Sequence, residues 1–341
     1  MKVLVTGATG FLGSHIVRQL LQAGHSVRVL RRTTSKLKML EGLPVETALG
    51  DVTDRNSVFE AVRSVEAVFH AAGHVSFWRG CRELQHNINV NGTRHIVEAC
   101  LAHGVKRLVH TSSIVGIGFA TEGRLGDETL AYNWSPYDIS YCETKRGGEL
   151  EVLEGVKRGL DAVIVNPAII FGPGDLNLNG GAMVFQIARS KFLFYPAGGG
   201  CVCDVEDVAE GHLLAFQKGR TGERYILGGD NYSWKELFRL IARTIGVPPP
   251  TRRMPTSLFR VLSALADLRS RFTEKEPALS TEAAKITLMP CYFSSDKAIR
   301  ELGYRISPFR ETIRKTYEWY RANRYLRSAP ALSDSVSTEK I

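Results

Sequence analysis

No run of eighteen apolar residues occurs in this 341-residue chain, so a membrane-crossing helix of ordinary length is not expected. Cysteine is sparse: six residues, at positions 81, 100, 142, 201, 203 and 291, with no C-x-x-C pair and no spacing that suits zinc. Reduced thiols and no metal site are therefore expected. Cys201 and Cys203, one residue apart in "GGGCVCDVEDV", read as half-buried residues on one face of a strand. Basic residues outnumber acidic ones, 44 to 35, for a formal charge of +9, yet no long Lys/Arg block stands out. Dispersed charge of this kind disfavours a nucleic-acid partner, and the phosphates of a small ligand suffice to explain it. No internal repeat is found. No charged segment with an apolar core precedes "MKVLVTG", which predicts a soluble, cytoplasmic protein.

What is present is a hydrophobic content of 44%, enough for a sizeable core, arranged in an alternating order. Short β-rich runs at 2–6, 26–30, 44–49, 66–72, 106–113 and 161–170 are separated by helical patterns such as "GSHIVRQLLQAG" and "DRNSVFEAVRS". Strands alternating with helices of that length predict an α/β fold, a Rossmann-type doubly wound parallel sheet covered on both faces. The order loosens after residue 172. A dinucleotide-binding domain is expected over 1–172, with 201–229 returning to it, and a smaller C-terminal substrate-binding lobe over 173–200 and 230–325. The stretch 329–341 reads as a disordered tail. Residues 255–272, "PTSLFRVLSALADLRSRF", form an amphipathic helix that could rest on a lipid surface, although a pocket lid or packing helix is the preferred reading.

"VTGATGFLG" joins the first strand to the first helix with Gly7, Gly10 and Gly13 spaced three apart. Glycine there permits a tight turn and lets backbone N–H groups and the helix N-terminus approach a pyrophosphate, so a dinucleotide is expected. At the end of the second strand, where an acid would bind the ribose of NAD, stand Arg31 and Arg32. They favour NADP, with NAD possible and two solvated arginines the bland alternative. Asp51 ends a strand where it could meet adenine, while Asp54 suits a helix N-cap. In "SPYDISYCETKRGGE", Tyr141 and Lys145 share the i, i+4 spacing that puts two side chains on one helix face, with Tyr137 four residues earlier. Spacing alone leaves a solvated face and a proton-transfer pair both open.

These residues resemble a family, the extended short-chain dehydrogenase/reductases. The resemblance runs to about residue 325 through "TGATGFLG", "GDVTD", "HAAG", "NVNGTRHIVEAC", "HTSSIVGIG", "YCETK" and "NPAIIFGPGD" in order, and within that group it is to the dihydroflavonol 4-reductase-like branch. It implies that Tyr141 donates a proton to a carbonyl, that Lys145 holds the nicotinamide ribose and lowers the tyrosine pKa, and that Ser113 rather than Ser112 hydrogen-bonds the substrate oxygen. It also implies a coenzyme cradle of Gly7, Thr9, Gly10, Phe11, Leu12, Gly13, Asp51, Val52, Ala71, Ala72, Gly73 and Thr111, with Asn166, Pro167 and Ile169 on the nicotinamide side. Asn89 and Asn91 begin or cap a helix, or serve a water relay. Two departures disfavour sugar-nucleotide enzymes: Ile114 and Val115 replace the Asp-Glu pair of a 4,6-dehydratase, and glycine and cysteine stand where a pyrophosphate-binding arginine is usual.

His74, Phe77, Trp78, Tyr137 and Phe192, with Phe194 and Tyr195 nearby, suggest walls for an apolar ketone or aldehyde, flavonoid- or steroid-like, although core packing explains each aromatic equally well. The expected function is thus an NADP(H)-dependent reductase. A sugar-nucleotide epimerase and a non-catalytic NADP-binding sensor or assembly protein are the alternatives. Family habit adds a homodimer through helices beginning near 83 and 137, where Gly147 and Gly148 permit close helix approach.

Overall fold

The computed structural model describes residues 1–121, 124–176, 179–189, 194–273 and 275–326. Phe192 and the stretch 329–341 lie outside the described residues. Strands β1 (Lys2–Thr6), β2 (Ser26–Arg31), β3 (Glu46–Leu49), β4 (Ala67–His70), β5 (Arg107–Thr111) and β6 (Ala162–Pro167) alternate with helices α1 (Phe11–Gln22), α2 (Arg55–Val62), α3 (Arg82–His86), α4 (Gly92–His103) and α5 (Ser140–Lys157). Next come β7 (Ile169–Phe171), α6 (Gly181–Ala188), β8 (Phe194–Tyr195), β9 (Gly199–Asp204), α7 (Val205–Lys218) and β10 (Arg224–Leu227). The main sheet has seven strands in the order β10-β6-β5-β4-β1-β2-β3, all parallel. This is the Rossmann-type doubly wound fold expected from the alternating pattern.

Side-chain alternation assigns the faces. Val3 and Val5 of β1, Val109 of β5 and Val163 and Val165 of β6 join one buried cluster with α1 residues, while Leu4, Leu108, Ala162 and Ile164 join another with residues of α2, α4 and α5. Both faces being covered, β4 and β6 are buried at every residue, which is why each opens on an apolar run, Ala67 to Phe69 and Ala162 to Val165. Each fully buried aliphatic side chain contributes about 1.5–3 kcal/mol, so neither face can be stripped. Successive strands lead outward in opposite directions from β1 and β4, and the crevice at their carboxyl ends is where a doubly wound sheet takes a ligand.

The remaining elements are β11 (Asp230–Ser233), α8 (Trp234–Ile245), β12 (Arg252–Arg253), α9 (Thr256–Thr273), α10 (Thr281–Thr287), β13 (Pro290–Cys291), α11 (Asp296–Leu302) and α12 (Phe309–Ala322). A second sheet is built from β11, β9 and β13 with β7 beside β9, so the chain rejoins the main sheet through α7 and β10. Helices α6, α8 and α12 close a core around Phe171, Trp234, Phe309 and Tyr317. Helix α8 carries a full capping box, Ser233 with Glu236, and ends at Gly246 with φ +73°. Cys201 and Cys203 are fully buried in β9 rather than half-buried, because that strand is covered along its whole length.

Candidate active site and coenzyme cradle

The glycine turn lies in the crevice. Gly7 leaves β1 with φ +69°, and a Cβ there would stand 2.6 Å from the backbone of Ala71 and Ala72. Any other residue would be strained and would push the two strand ends apart. A Cβ on Gly13 would come within 2.2 Å of the Gly7 carbonyl oxygen, so α1 packs onto the turn only with glycine there. Gly10 precedes α1 with extended backbone, no side chain caps the helix, and no acid occupies its first turn. The amides at this N-terminus, flanked by Thr9, Phe11 and Leu12, therefore fit a pyrophosphate.

A hydrogen-bonded chain runs from the loop after β4 to α4. The Ala72 N–H donates to Thr6 Oγ1 at 3.2 Å, and Thr6 Oγ1 is 2.7 Å from His70 Nδ1. His70 Nε2 is 3.1 Å from Thr93 Oγ1, which donates to the Asn89 carbonyl at 2.8 Å. Since the Thr93 proton is committed to Asn89, His70 Nε2 must be the donor to Thr93, and Nδ1 accepts from Thr6. Burial, with the Lys145 charge second, pushes His70 down to about 3, so this histidine stays neutral and the relay keeps one direction.

At the end of β2, Arg31 Nη1 donates to the Arg32 carbonyl at 3.3 Å, and the exposed Arg32 side chain lies 3.9 Å from Asp51. That exposed ion pair contributes little and leaves both guanidinium groups available to an anion. Asp51 accepts from the Thr53 N–H and hydroxyl, both at 2.9 Å, and the Val52 carbonyl accepts from His95 at 2.9 Å. Asp54 caps α2 by accepting from Asn56 and Ser57.

Tyr141 and Lys145 occupy one face of α5, but both are buried, which excludes the solvated-face reading. Lys145 Nζ donates to the Thr111 carbonyl at 2.7 Å. Burial pushes Lys145 down to about 8 against the opposing pull of Glu149. Tyr141 moves opposite to the sequence expectation. In the protein alone, burial raises the phenol, and its hydrogen bond with Ser113 only partly opposes that. The tyrosine thus keeps its proton at neutral pH. Ser112 turns away from it and donates to Glu149 at 2.6 Å, so Ser113 is the serine that meets Tyr141.

Tyr137 is not on α5. It ends a 3-10 turn over Ser135–Tyr137, and Asp138, with φ +48°, breaks the helical register before α5 begins. Its ring packs 5.6 Å from that of Phe119, and its carbonyl accepts from Lys285 at 2.6 Å. Phe77 does reach the site, edge-on to Tyr141 with ring centroids 5.3 Å apart. Trp78 Nε1 donates to Ser270 of α9 at 3.2 Å. Neither Asn89 nor Asn91 caps a helix with its side chain: α3 runs into α4 through a π-type turn, Asn87–Asn91, an insertion that re-aims side chains. Asn89 accepts from the His74 N–H at 2.8 Å and donates to the His74 carbonyl and to Thr144, each at 3.1 Å, pinning the loop after Gly73 to α5. The clearances at Gly147 and Gly148 are also used within the chain, since a Cβ on either would meet Val90 at 2.8 Å or the Asn89 carbonyl at 2.6 Å.

Glu149, one turn beyond Lys145, was not among the residues singled out from sequence. Fully buried, it accepts from Ser112 and Asn166 on one oxygen, both at 2.6 Å, and meets Arg224 at 3.1 Å and Arg146 at 3.3 Å on the other. Asn166 also donates to the Ser113 carbonyl at 2.8 Å, so the network fixes the serine loop. The i, i+4 series Tyr141, Lys145, Glu149 was its sequence signal. Pro167 ends β6 and Ile169 opens β7 beside it.

The model of the NAD dependent epimerase/dehydratase family matches residues 3–228. The chain belongs to that family. It is thereby an enzyme of the extended short-chain dehydrogenase/reductase type, whose members act on CH–OH groups with a nicotinamide coenzyme. Among its relatives is a Synechocystis protein with the provisional name dihydroflavonol 4-reductase, 32% identical over 95% of this chain and 96% of its own. Sterol demethylase protein B of Methylococcus capsulatus is 33% identical over 94% and 98% of the two chains. Among solved structures, the UDP-glucose 4-epimerase of Thermus thermophilus, in complex with NAD, superposes with a TM-score of 0.75 at 26% identity, covering 94% of this chain and 99% of that one.

Proposed function

We propose that this family member is an NADP(H)-dependent reductase of an apolar ketone or aldehyde, dihydroflavonol- or steroid-like. The observation that carries the reading is a buried Tyr141 hydrogen-bonded to Ser113 and edge-on to Phe77, with Lys145 one turn away. Residues Gly7 to Gly13 would hold the pyrophosphate, Arg31 and Arg32 a 2′-phosphate, Asp51 and Val52 the adenine side, and Ala71 to Gly73 with Thr111 the middle of the coenzyme. Lys145 would hold the nicotinamide ribose, beside Asn166, Pro167 and Ile169. When bound, the coenzyme supplies a hydride. Tyr141 gives its proton to the carbonyl oxygen, Ser113 orients that oxygen, and His74, Phe77 and Trp78 exclude water from it.

The sterol and dihydroflavonol names of the two relatives support an apolar substrate. The epimerase neighbour keeps a sugar-nucleotide reading open. Against it, Ile114 and Val115 are buried apolar residues, and at Gly200 of β9 even a Cβ would pack tightly, 3.0 Å from Ile169 and 3.3 Å from Trp234. A homodimer is supported by Leu84 of α3 and Leu150 of α5, about half exposed on the two helices of the family's usual contact.

Fluorescence titration is expected to give tighter binding of NADPH than NADH. Replacing Arg31 and Arg32 together by alanine should weaken NADPH about tenfold or more and leave NADH unchanged, since each hydrogen bond to a charged group contributes about 1.5–3 kcal/mol. Equal binding of both coenzymes by the unaltered protein would overturn the NADP assignment. Turnover of UDP-sugars but of no ketone would favour the epimerase, and no turnover at all the sensor.

A further inference from the structure

Helix α9 is mounted inside out. A surface helix normally turns its apolar stripe to the core and its polar face to water. Here Leu258, Val261, Leu262, Leu265, Leu268 and Phe272 follow the i, i+3, i+4, i+7 spacing of one face, and each is exposed, by 43% at Leu262 up to 83% at Phe272. The face turned to the protein carries Ser263 and Ser270, both buried, and Asp267, which accepts from the Thr281 N–H at 2.9 Å. Phe259 is the large apolar side chain buried from this helix. A contiguous apolar stripe on an otherwise polar surface is the mark of a contact with something outside the chain.

The charges around the stripe say which contact. Arg252 and Arg253 precede the helix, Arg260, Arg269 and Arg271 stand on it, and Lys275 follows; all are exposed. The acids nearby are engaged: Asp267 with Thr281, and Glu276 with Ser76 at 2.7 Å, while Glu274 lies outside the described residues. In a twofold contact between copies, this basic fringe would face itself and repel. Against an anionic bilayer the arginine stems lie along the apolar stripe and their heads reach the phosphates. No helix among the described residues is long and apolar enough to cross a membrane, so α9 would lie in the interface.

We propose that α9 docks this protein onto an anionic lipid surface, with the leucine stripe entering the headgroup region and the arginines pairing with lipid phosphates. The opposite side of the same helix is fastened to the loop after β4: Ser270 accepts from Trp78, and Ser280, just beyond α9, donates to the Phe77 carbonyl. The lipid surface thus lies one helix diameter, about 10 Å, from the Phe77 wall of the site. A ketone dissolved in the bilayer would enter from that side; this last step rests on the reductase reading, whereas docking itself does not.

The test is sedimentation of the full chain with phosphatidylcholine vesicles, with and without phosphatidylglycerol. The protein is expected to pellet with the anionic vesicles and to be released by salt, and Leu265→Glu with Phe272→Glu should lower partitioning about tenfold or more. Both positions are exposed, so melting temperature and NADPH binding should not change. Arg269→Glu with Arg271→Glu should also weaken docking, and Tyr141→Phe, inactive under the reductase reading, should pellet as well as the unaltered chain. Failure to pellet, pelleting insensitive to both pairs of substitutions, or a solution dimer that the Leu265→Glu, Phe272→Glu pair splits would each overturn the proposal.

Discussion

Tyr141→Phe is expected to lower carbonyl reduction by about 10²–10⁴-fold, the contribution of a positioned general acid, while NADPH still binds. The size of the effect follows from the phenol's surroundings. Buried beside Phe77 and hydrogen-bonded to Ser113, it is shielded from the bulk solvent that would otherwise replace it as donor. Lys145→Met should be equally inactive, yet its stability should move the other way. Lys145 titrates near 8 in the folded chain, below its ordinary 10.5. Between those values the unfolded chain holds a proton that the folded one lacks, so stability rises with pH across that window, and burying the cation costs about 3 kcal/mol at neutral pH. Methionine removes that cost along with the hydrogen bond to Thr111, and should raise the melting temperature by about 2–4 °C at pH 7. The gain should shrink as pH rises above 8, because the lysine then sheds its charge unaided. A Lys145→Met protein that is both inactive and less stable at pH 7 would mean that the Thr111 contact outweighs the buried charge. Under the proposed reading, reduction by the unaltered enzyme should likewise decline above pH 8, as the Lys145 ammonium loses its charge.

The parts of this site legible in the sequence are those built from neighbours in the chain. The glycine turn announces itself because strand, turn and helix N-terminus occupy twelve consecutive positions, Lys2 to Gly13, and Tyr141 and Lys145 because one helical turn joins them. The sheet was legible because its central strands are covered on both faces and so read as apolar runs. What periodicity cannot carry is a break in register. Tyr137 keeps the i, i+4 spacing on paper, but Asp138 in a left-handed conformation ends it. The π-type turn at Asn87–Asn91 likewise shifts Asn89 from a helix start to a clamp on His74. For α9, periodicity fixes that a stripe exists without saying which side faces the protein. Only the buried Ser263 and Ser270 settle that orientation. The clearances at Gly147 and Gly148 imply a close neighbour, and the fold supplies it from Val90 and Asn89.

Glu149→Ala should destabilise the protein by about 3–5 kcal/mol, the cost of breaking a buried ion pair from one side. The carboxylate is fully buried and joins groups 37, 17 and 75 positions away, at Ser112, Asn166 and Arg224. Removing it strands the Ser112 hydroxyl and one Asn166 amide proton in the interior and leaves two guanidinium groups facing a cavity. Arg146 and Arg224 retain side-chain exposures of 24% and 18%, so water can reach them in part, which favours the lower end of the range. Glu149→Gln should fall between, because its carbonyl can still accept from Ser112 and Asn166 while its amide turns toward the arginines. Urea midpoints with unchanged slopes would measure both. The functional consequence separates a positioning role from bulk stability. Asn166 holds the Ser113 carbonyl, so loosening the network should lower kcat with little change in KM, and glutamine should restore most of it. If the alanine variant were destabilised as expected but kept full kcat below its melting temperature, Glu149 would hold the sheet to α5 and nothing more, and the placement of Ser113 would be due to the 3-10 turn that it caps, Ile114–Gly116.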